Sequence, residues 1–463
     1  MKRARASSTT TVAALFIVGL LIGAVAVYAV TSGASKTTTS TQTITSTVGG
    51  SGSTNTVTQT ITATGSGSAP LGTITIGVLS DLSDGLSSEG LRVQAYAQQA
   101  AKDVNAWVAN TSWAGKVTFK VNVVDYGGST TTVVQDYNSL ASSGVQVIVG
   151  PLSSGTTQAI LSDADSGHVV LISPSSTSPA LAIPNDYLYR TAPDDFYQGQ
   201  ADATMMLQQG VKGLIIVYRD DTYGSGLYNY TSADFQSGGG SGVTVDAVPY
   251  SSTATSFTNI LPTLNTDYNN LVAKYGANAV AFDAISFEEL GYLLTELQSG
   301  YPSLLKTAQP WYSTDGTQGD TALTNSTYGA LVQEIRLTSS VFGFTNSTKS
   351  QQICGDFASQ PSLSCDSYAL GGYDDVWIAA LSILDCGANS GVCVQKVLPS
   401  VASSYFGATG WTGLNAAGDR NGGDFQIWAV ETPKAGAENW YLAGDWSATT
   451  NTVSWLPGQQ PAT

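Results

Sequence analysis

The chain has 463 residues, of which 42% are apolar and only 11% are charged, and its formal net charge is −16. Nucleic acid is therefore not an expected partner, because phosphate binding needs a clustered basic surface. The single histidine, His168, excludes multi-histidine metal sites. No P-loop and no G-x-G-x-x-G motif occurs in the sequence, so neither a metal nor a cofactor is expected.

The first 30 residues are predicted to be a membrane anchor or a signal peptide. Lys2, Arg3 and Arg5 precede an uncharged apolar run at 12–30, which as a helix would span about 29 Å, close to the thickness of a bilayer. The basic flank predicts a cytoplasmic N-terminus and an exported body. Cleavage is the alternative, because small residues at 24–29 suit a signal peptidase. Both alternatives place the body outside the cell.

Residues 31–70 consist almost entirely of threonine, serine and glycine, and the sequence TQTIT occurs at 41–45 and again at 58–62. Such a segment buries too little apolar surface to offset its ordering entropy. It is predicted to be a disordered, O-glycosylated spacer that tethers the body. A β-prone adhesive stretch is the alternative.

From residue 73 onward the pattern alternates between short apolar strands and longer helices. The helix after the first strand has an apolar stripe of Val93, Ala97, Ala100, Val104 and Trp107. This alternation predicts βαβ units with parallel sheets, and the restart after residue 190 predicts two sheets. The strand patterns lie at 73–79, 117–124, 145–150, 169–173, 212–218, 243–250 and 278–284.

Two hydroxyl-rich turns follow predicted strands, PLSSGTTQAI at 151–160 and PSSTSPALA at 174–182. Ligands of open α/β sheets bind beyond the carboxyl ends of the strands. A helix N-terminus there offers free N–H groups to a carboxylate. The alternative is that the hydroxyl side chains of these turns only cap their own helices.

The four cysteines are predicted to form two local disulfides, Cys354–Cys365 and Cys386–Cys393. Their spacings lack the C-x2-C signature of a zinc module, and an exported protein keeps disulfides oxidised. Four N-x-S/T acceptors are candidate glycosylation sites, namely Asn110, Asn229, Asn325 and Asn346.

Several longer motifs occur in a characteristic order. They are TITIGVLSDLS, GPLSSGTTQAI, ISPSSTSPALA, YRTAPDDFYQGQA, DTYGSG, GYDDVWIAALSIL and TGLNAAGDRNGGDFQIW, between residues 73 and 428. With these motifs the body resembles the leucine/isoleucine/valine-binding type of extracellular solute-binding protein, which feeds ABC importers.

The resemblance implies an α/β, two-lobed type I periplasmic-binding fold with the ligand between the lobes and three crossovers. Each lobe would be a mainly parallel sheet flanked by helices. The expected boundaries are 1–30 for the anchor, 31–70 for the spacer, 71–194 plus 338–405 for lobe 1, 195–337 plus 406–455 for lobe 2, and 456–463 for a tail.

The resemblance also implies a set of ligand-binding residues. Ser154, Ser175 and Thr177 match the turns that hold the ligand's carboxylate, and Asp315 matches the acid that receives its ammonium. Two further matches are Asp195 and Tyr223. From the residues alone, Asp195 could cap a helix, Tyr223 could pack in a turn and Asp315 could be a solvated turn residue.

The sequence departs from the family pattern at three positions. Glu89 stands where an aromatic residue is common, and Ser286, followed by Phe287, stands where a pocket tyrosine is common. Asp315 is one methylene shorter than the usual glutamate. Ser286 is still expected to contact the ligand, but branched-chain specificity does not follow.

The expected function is ligand capture by hinge closure, without catalysis, for delivery of an amino acid or similar small zwitterion to an ABC permease. The protein is expected to act as a monomer on the outer face of the membrane. The alternatives are a binder of amides, urea or small aromatic acids, or a sensor that acts through a partner.

An extracellular hydrolase would need a base beside Ser154, and His168, in SGHVV, is expected to be a surface turn residue. The adjacent acids Asp220/Asp221 and Glu288/Glu289 are more typical of solvated faces than of a paired-carboxylate glycosidase.

Overall fold

The computed structural model describes residues 70–430 and 440–462 together with the backbone of three N-terminal strands. These strands are β1 (Val25–Ala29), β2 (Thr38–Thr47) and β3 (Thr54–Ala63). They form an antiparallel sheet in the order β1–β2–β3.

The two TQTIT repeats of the predicted spacer pair with each other, since Thr41 lies opposite Thr60 and Gln42 opposite Gln59. This pairing differs from the disorder expected there and agrees with the β-prone alternative. Threonine and isoleucine are β-branched and favour extended, paired backbone. Most of the predicted anchor at 12–30 and the rest of the spacer lie outside the described residues.

The first lobe is built on a parallel sheet in the order β5–β4–β6–β7–β8. Helices connect most of its strands, as the alternating pattern predicted. In chain order its elements are β4 (Gly72–Ser80), α1 (Ser87–Val108), β5 (Val117–Asp125), α2 (Thr130–Ser142), β6 (Val147–Val149), α3 (Ser154–Gly167), β7 (Val170–Ser173) and β8 (Leu188–Arg190).

The second lobe begins with α4 (Asp195–Gln208), β9 (Gly213–Asp220), α5 (Thr222–Gly239), β10 (Thr244–Ser251), α6 (Leu261–Tyr275), β11 (Val280–Ile285), α7 (Leu290–Gly300), β12 (Tyr312–Ser313), α8 (Gly329–Glu334) and β13 (Thr338–Phe342). The chain then returns to the first lobe with α9 (Thr348–Phe357), α10 (Ser367–Cys386) and α11 (Gly391–Ser404). It ends in the second lobe with β14 (Phe425–Ala429), β15 (Tyr441–Ser447) and β16 (Thr452–Trp455). The second sheet has the order β10–β9–β11–β12–β13–β14–β15–β16, and its last three strands are antiparallel to their neighbours.

Two lobe boundaries differ from those expected. Strand β13 pairs with β12 and β14 in the second sheet, so the second crossover follows Phe342 instead of preceding residue 338. Asp419 forms a bridge with Arg190 at the edge of the first sheet. The segment after α11 therefore stays with the first lobe for more than ten residues before the chain reaches β14.

The core of the first lobe is centred on α10, which is buried at every residue from Ser367 to Leu384. Most of the predicted apolar stripe of α1 packs in the same cluster, with Ala97, Ala100 and Val104 fully buried, whereas Val93 packs with Leu86 and Leu152. Burial of each large aliphatic side chain contributes roughly 1.5–3 kcal/mol. Among the described residues no single helix meets the length and hydropathy expected of a membrane span, although the bent pair α10 and α11 does so jointly.

Both predicted disulfides are present, Cys354–Cys365 and Cys386–Cys393. The second disulfide joins the last residue of α10 to the first turn of α11. The four candidate glycosylation asparagines are all exposed, which leaves their modification a prediction.

Candidate functional site

A cleft between the two lobes opens at the carboxyl ends of the strands, where the sequence predicted a site. The empty space in this cleft, including the part that is open to solvent, is about 240 Å³. The lining residues come from both lobes and are Leu86, Glu89, Leu152, Ser153, Ser154, Ser175, Tyr223, Phe287, Asp315, Gly316 and Tyr368.

The turn from β6 into α3 directs a helix N-terminus at this cleft. Gly150 has a φ of +92°, and a methyl group there would lie 2.2 Å from the carbonyl oxygen of Leu79, so the turn requires glycine. Ser153 caps α3, because its Oγ accepts a hydrogen bond from the N–H of Thr156 at 3.2 Å. The capping hypothesis therefore holds for Ser153, and α3 presents its positive end to the cleft.

The Ser154 hydroxyl ties the two predicted turns together. Its Oγ accepts hydrogen bonds from the N–H groups of Thr177 at 3.2 Å and of Ser178 at 3.0 Å. Ser175 lines the cleft and donates from its Oγ to the carbonyl of Leu152 at 3.1 Å. Thr177 is not among the lining residues, so of the three hydroxyls predicted to hold a carboxylate only Ser154 and Ser175 face the cleft.

Asp315 is the acidic centre of the second-lobe side. It follows β12 and is buried, and its Oδ1 accepts a hydrogen bond from the Tyr223 hydroxyl at 2.6 Å. Its Oδ2 accepts one from the Tyr368 hydroxyl at 2.5 Å. Tyr223 lies in the first turn of α5 in the second lobe, whereas Tyr368 belongs to α10 in the first. Asp315 is thus oriented by both lobes, and it is not the solvated turn residue of the alternative interpretation.

Phe287 forms an apolar side of the cleft. Its ring stacks on that of Tyr223, with 5.2 Å between the centroids, and the Arg219 guanidinium lies 3.9 Å from its centroid. Arg219 is itself held by ion pairs to Asp221 at 2.9 Å and to Glu289. The acidic residues expected to form a solvated face are therefore used in part to fix Arg219 and, through it, Phe287.

Ser286 and Asp195 lie behind the cleft surface. Ser286 is buried, and its Oγ donates to the carbonyl of Phe287 at 3.3 Å, so Phe287 is the residue that faces the cleft at this point. Asp194, not Asp195, caps α4 by accepting from the N–H of Phe196 at 3.2 Å. Asp195 is completely buried, and its burial raises the pKa of its carboxyl well above the ordinary value, with the charge of Asp315 adding to the rise.

Glu89 and Tyr368 are lining residues that the sequence did not assign to the site. Glu89 lies in the first turn of α1, is 7% exposed, and its Oε1 has no hydrogen-bond partner. Burial raises the pKa of Glu89 to about 8, and the nearby Ser175 hydroxyl and the charge of Arg92 offset that rise only in part. The only sequence signal that Glu89 belongs to the site was its departure from the family pattern. The sequence gives no such signal for Tyr368, because a tyrosine in an apolar helix is typical of a protein core.

Direct hydrogen bonds hold the two lobes together around the cleft. Glu288 of the second lobe accepts from the Ser88 N–H at 3.0 Å and from the Ser87 hydroxyl at 2.9 Å. Arg92 of the first lobe donates to the carbonyl of Gly319 at 2.7 Å. The structure therefore represents a closed conformation.

No histidine base is available to Ser154. His168 is the only histidine of the chain, and it caps the opposite end of α3 from Ser154 with a left-handed backbone conformation. The arrangement supplies hydrogen-bond donors on one side and carboxylates on the other, which suits recognition of a ligand with separated charges.

Fold and cleft together define a two-lobed ligand-binding protein with the α/β type I periplasmic-binding fold. The sequence of residues 92–432 matches the protein family described as the receptor family ligand binding region. The chain belongs to that family, and the resemblance inferred from its motifs is confirmed at the level of family and fold.

One curated protein and two solved structures are similar to this chain. An uncharacterized protein of Methanocaldococcus jannaschii is 28% identical over 398 residues, which cover 82% of this chain and 91% of that protein. The leucine-binding protein LivK of Thermotoga maritima has a TM-score of 0.68 at 16% identity and covers 81% of this chain and 99% of its own. LivJ of Streptococcus pneumoniae, a branched-chain amino acid transporter substrate-binding protein solved with isoleucine, has a TM-score of 0.64 at 20% identity. The match covers 80% of this chain and 99% of LivJ.

Proposed function

We propose that the protein is an extracellular solute-binding protein that captures an amino acid or similar small zwitterion between its lobes and delivers it to an ABC permease. Binding acts by hinge closure and breaks no covalent bond. The N-terminal segment would anchor the protein to the outer face of the membrane or direct its export, and the protein would act as a monomer.

The observation that carries the proposal is the placement of opposite binding groups on opposite sides of one closed cleft. The first lobe supplies the N-terminus of α3 with Ser154, which suits a carboxylate. The second lobe supplies Asp315, oriented at both oxygens by hydroxyl donors, which suits an ammonium. A ligand that bridges the two would stabilise the closed form over the open one.

The test is a calorimetric and thermal-shift screen of the full chain in mild detergent. Amino acids, amides, urea, small aromatic acids and sugars are compared as ligands. Amino acids are expected to bind, and Asp315→Asn is expected to weaken that binding about 10-fold or more, because a charge-assisted hydrogen bond contributes roughly 1.5–3 kcal/mol.

Asp163→Asn, an exposed change on α3, is the matched control and should bind as the unmodified chain does. If a sugar or an amide binds and no amino acid does, the proposed ligand class is wrong. Hydrolysis of any screened compound would favour the enzyme alternative.

A further inference from the structure

The cleft contains one more carboxylate than a simple zwitterion can neutralise. Both Glu89 and Asp315 line it, from opposite lobes. The ligand's ammonium would pair with one of these groups, and its carboxylate would be held by the hydroxyl and N–H groups at the start of α3. The second acidic group would then remain buried beside the ligand without a partner.

Glu89 is the group left over. Asp315 receives two tyrosine hydroxyls, whereas Oε1 of Glu89 is buried against the cleft with no hydrogen-bond partner. A buried carboxylate oxygen without a hydrogen-bond partner is costly, and natural structures pair such groups.

Arg92 is the cationic side chain nearest to these two carboxylates, and it lines the part of the cleft that adjoins Glu89 and Asp315. Its charge is already used, because it forms an ion pair with Asp366 at 2.6 Å and donates to the carbonyl of Gly319. Arg219 lies behind Phe287, where Asp221 and Glu289 hold it. The missing positive charge must therefore come from the ligand or from a proton.

We propose that the ligand carries a second cationic group, and that Glu89 binds this group while Asp315 binds the α-ammonium. A basic amino acid such as lysine or ornithine has this chemistry. The inference rests on the proposed function and narrows its ligand class from amino acids in general to dicationic ones.

The groups that face Glu89 set the direction of its pH dependence. Arg92 and the Ser175 hydroxyl favour the ionised form, whereas burial and the charges of Asp366 and Asp315 disfavour it. A cationic ligand group adds to the first set. Affinity for lysine should therefore increase between pH 6 and pH 8 as Glu89 ionises, since the lysine ammonium stays charged throughout that range.

The test is calorimetric titration of the full chain in detergent with lysine, its neutral analogue norleucine and its decarboxylated analogue cadaverine. Lysine is expected to bind at least about 10-fold more tightly than norleucine, the effect of one charge-assisted contact. Glu89→Gln, which mimics the protonated side chain, should remove most of that preference and the pH dependence, and norleucine binding should stay unchanged. Glu334→Gln, on the partly exposed α8, is the matched control.

The outcomes separate the two proposals. Norleucine binding as tightly as lysine overturns the dicationic ligand and leaves amino-acid capture standing. Failure of every amino acid, basic or neutral, overturns the proposed function and the inference with it. If cadaverine binds as tightly as lysine, the assignment of a carboxylate-binding site to the start of α3 is wrong, whereas the assignment of Glu89 and Asp315 as cation-binding groups is supported.

Discussion

The carboxylate of Asp315 accepts hydrogen bonds from two tyrosines that differ in what closure does to them. Tyr223 is in the same lobe as Asp315, so its hydrogen bond persists when the lobes separate. Tyr368 reaches Asp315 from the first lobe, so its hydrogen bond exists only in the closed form. The two hydroxyls therefore contribute to different states of the protein.

We expect Tyr368→Phe to weaken amino-acid binding about 10-fold without changing the melting temperature of the ligand-free protein. A lost hydrogen bond to a charged group costs roughly 1.5–3 kcal/mol, and here only the closed state bears that cost. Tyr223→Phe is the comparison variant, because it should lower the ligand-free melting temperature as well. Calorimetry and thermal unfolding measure both effects, and equal behaviour of the two variants would contradict the assignment.

At this scale the sequence located part of the site. Four residues carried by turn motifs line one cleft as expected, namely Ser154, Ser175, Tyr223 and Asp315. Thr177, Asp195 and Ser286 lie one layer behind it. Whether a residue in a turn faces the cleft or the layer behind depends on a rotation of the backbone that a sequence motif does not encode.

At the scale of elements, helix α1 determines where the first lobe contacts the second. It starts within a few residues of the end of β4, and Gly90 in its first turns packs against the strand's continuation at Asp81. The same turns carry Glu89 and Arg92. The position of α1 therefore sets both the acidity of the cleft and the contact with Gly319.

We expect Gly90→Ala to destabilise the protein by about 1–3 kcal/mol and to weaken ligand binding. The added methyl would lie 1.7 Å from the carbonyl oxygen of Asp81, so α1 must shift away from the strand. Gly155→Ala, in the first turn of α3, is the control for stability alone, because nothing lies within 4 Å of its added methyl. Thermal unfolding and calorimetry are the measurements. Gly90→Ala with the stability of Gly155→Ala would show that α1 is not fixed by this contact.

The sequence predicted the long elements and some of the short ones. The alternating pattern located α1, β5, β9 and β11 because each is long enough to show its period, and the apolar runs at 145–150 and 169–173 located the short strands β6 and β7. Strands β8 and β12 have three and two residues and no such apolar run, and they depend on pairing with their neighbours. The second crossover was misplaced because β13 carries no signal that assigns it to one sheet or the other.

For the whole molecule, the closed form depends on groups that span both lobes. Glu288 accepts two hydrogen bonds from the start of α1, where a carboxylate also interacts favourably with the helix dipole. Glu288→Ala is expected to shift the population toward the open form and weaken ligand binding about 5- to 30-fold, from a loss of about 1–2 kcal/mol. Fluorescence energy transfer between one label on each lobe, recorded during titration with the ligand, measures this shift from the closed to the open form. Glu334→Ala is the control. Unchanged affinity would exclude this contact as a determinant of closure.

Stability should decrease as the pH rises from 5 to 8. Burial raises the pKa of Asp81 to about 6, of Asp186, Asp283 and Asp320 to about 7, and of Glu89 to about 8. The folded state therefore binds more protons than the unfolded state, in which these groups titrate near pH 4. Their stabilising contribution is complete below about pH 4 and is lost as the pH rises through 6–8. The melting temperature of the ligand-free protein should fall over this range.

Asp283→Asn is the variant that isolates one of these groups, since both oxygens of this fully buried carboxyl lack hydrogen-bond partners. Its melting temperature should depend less on pH than that of the unmodified chain. A melting temperature that stays level or rises from pH 5 to pH 8 would contradict the prediction.

The start of α1 has a consequence for how the protein could be observed. Leu86 at its N-cap offers no side-chain acceptor, and the N–H of Ser88 is bonded to a carboxylate of the opposite lobe. That amide is protected only while the two lobes touch. Deuterium uptake at Ser88 therefore reports directly how often the two lobes separate, without a label or a mutation.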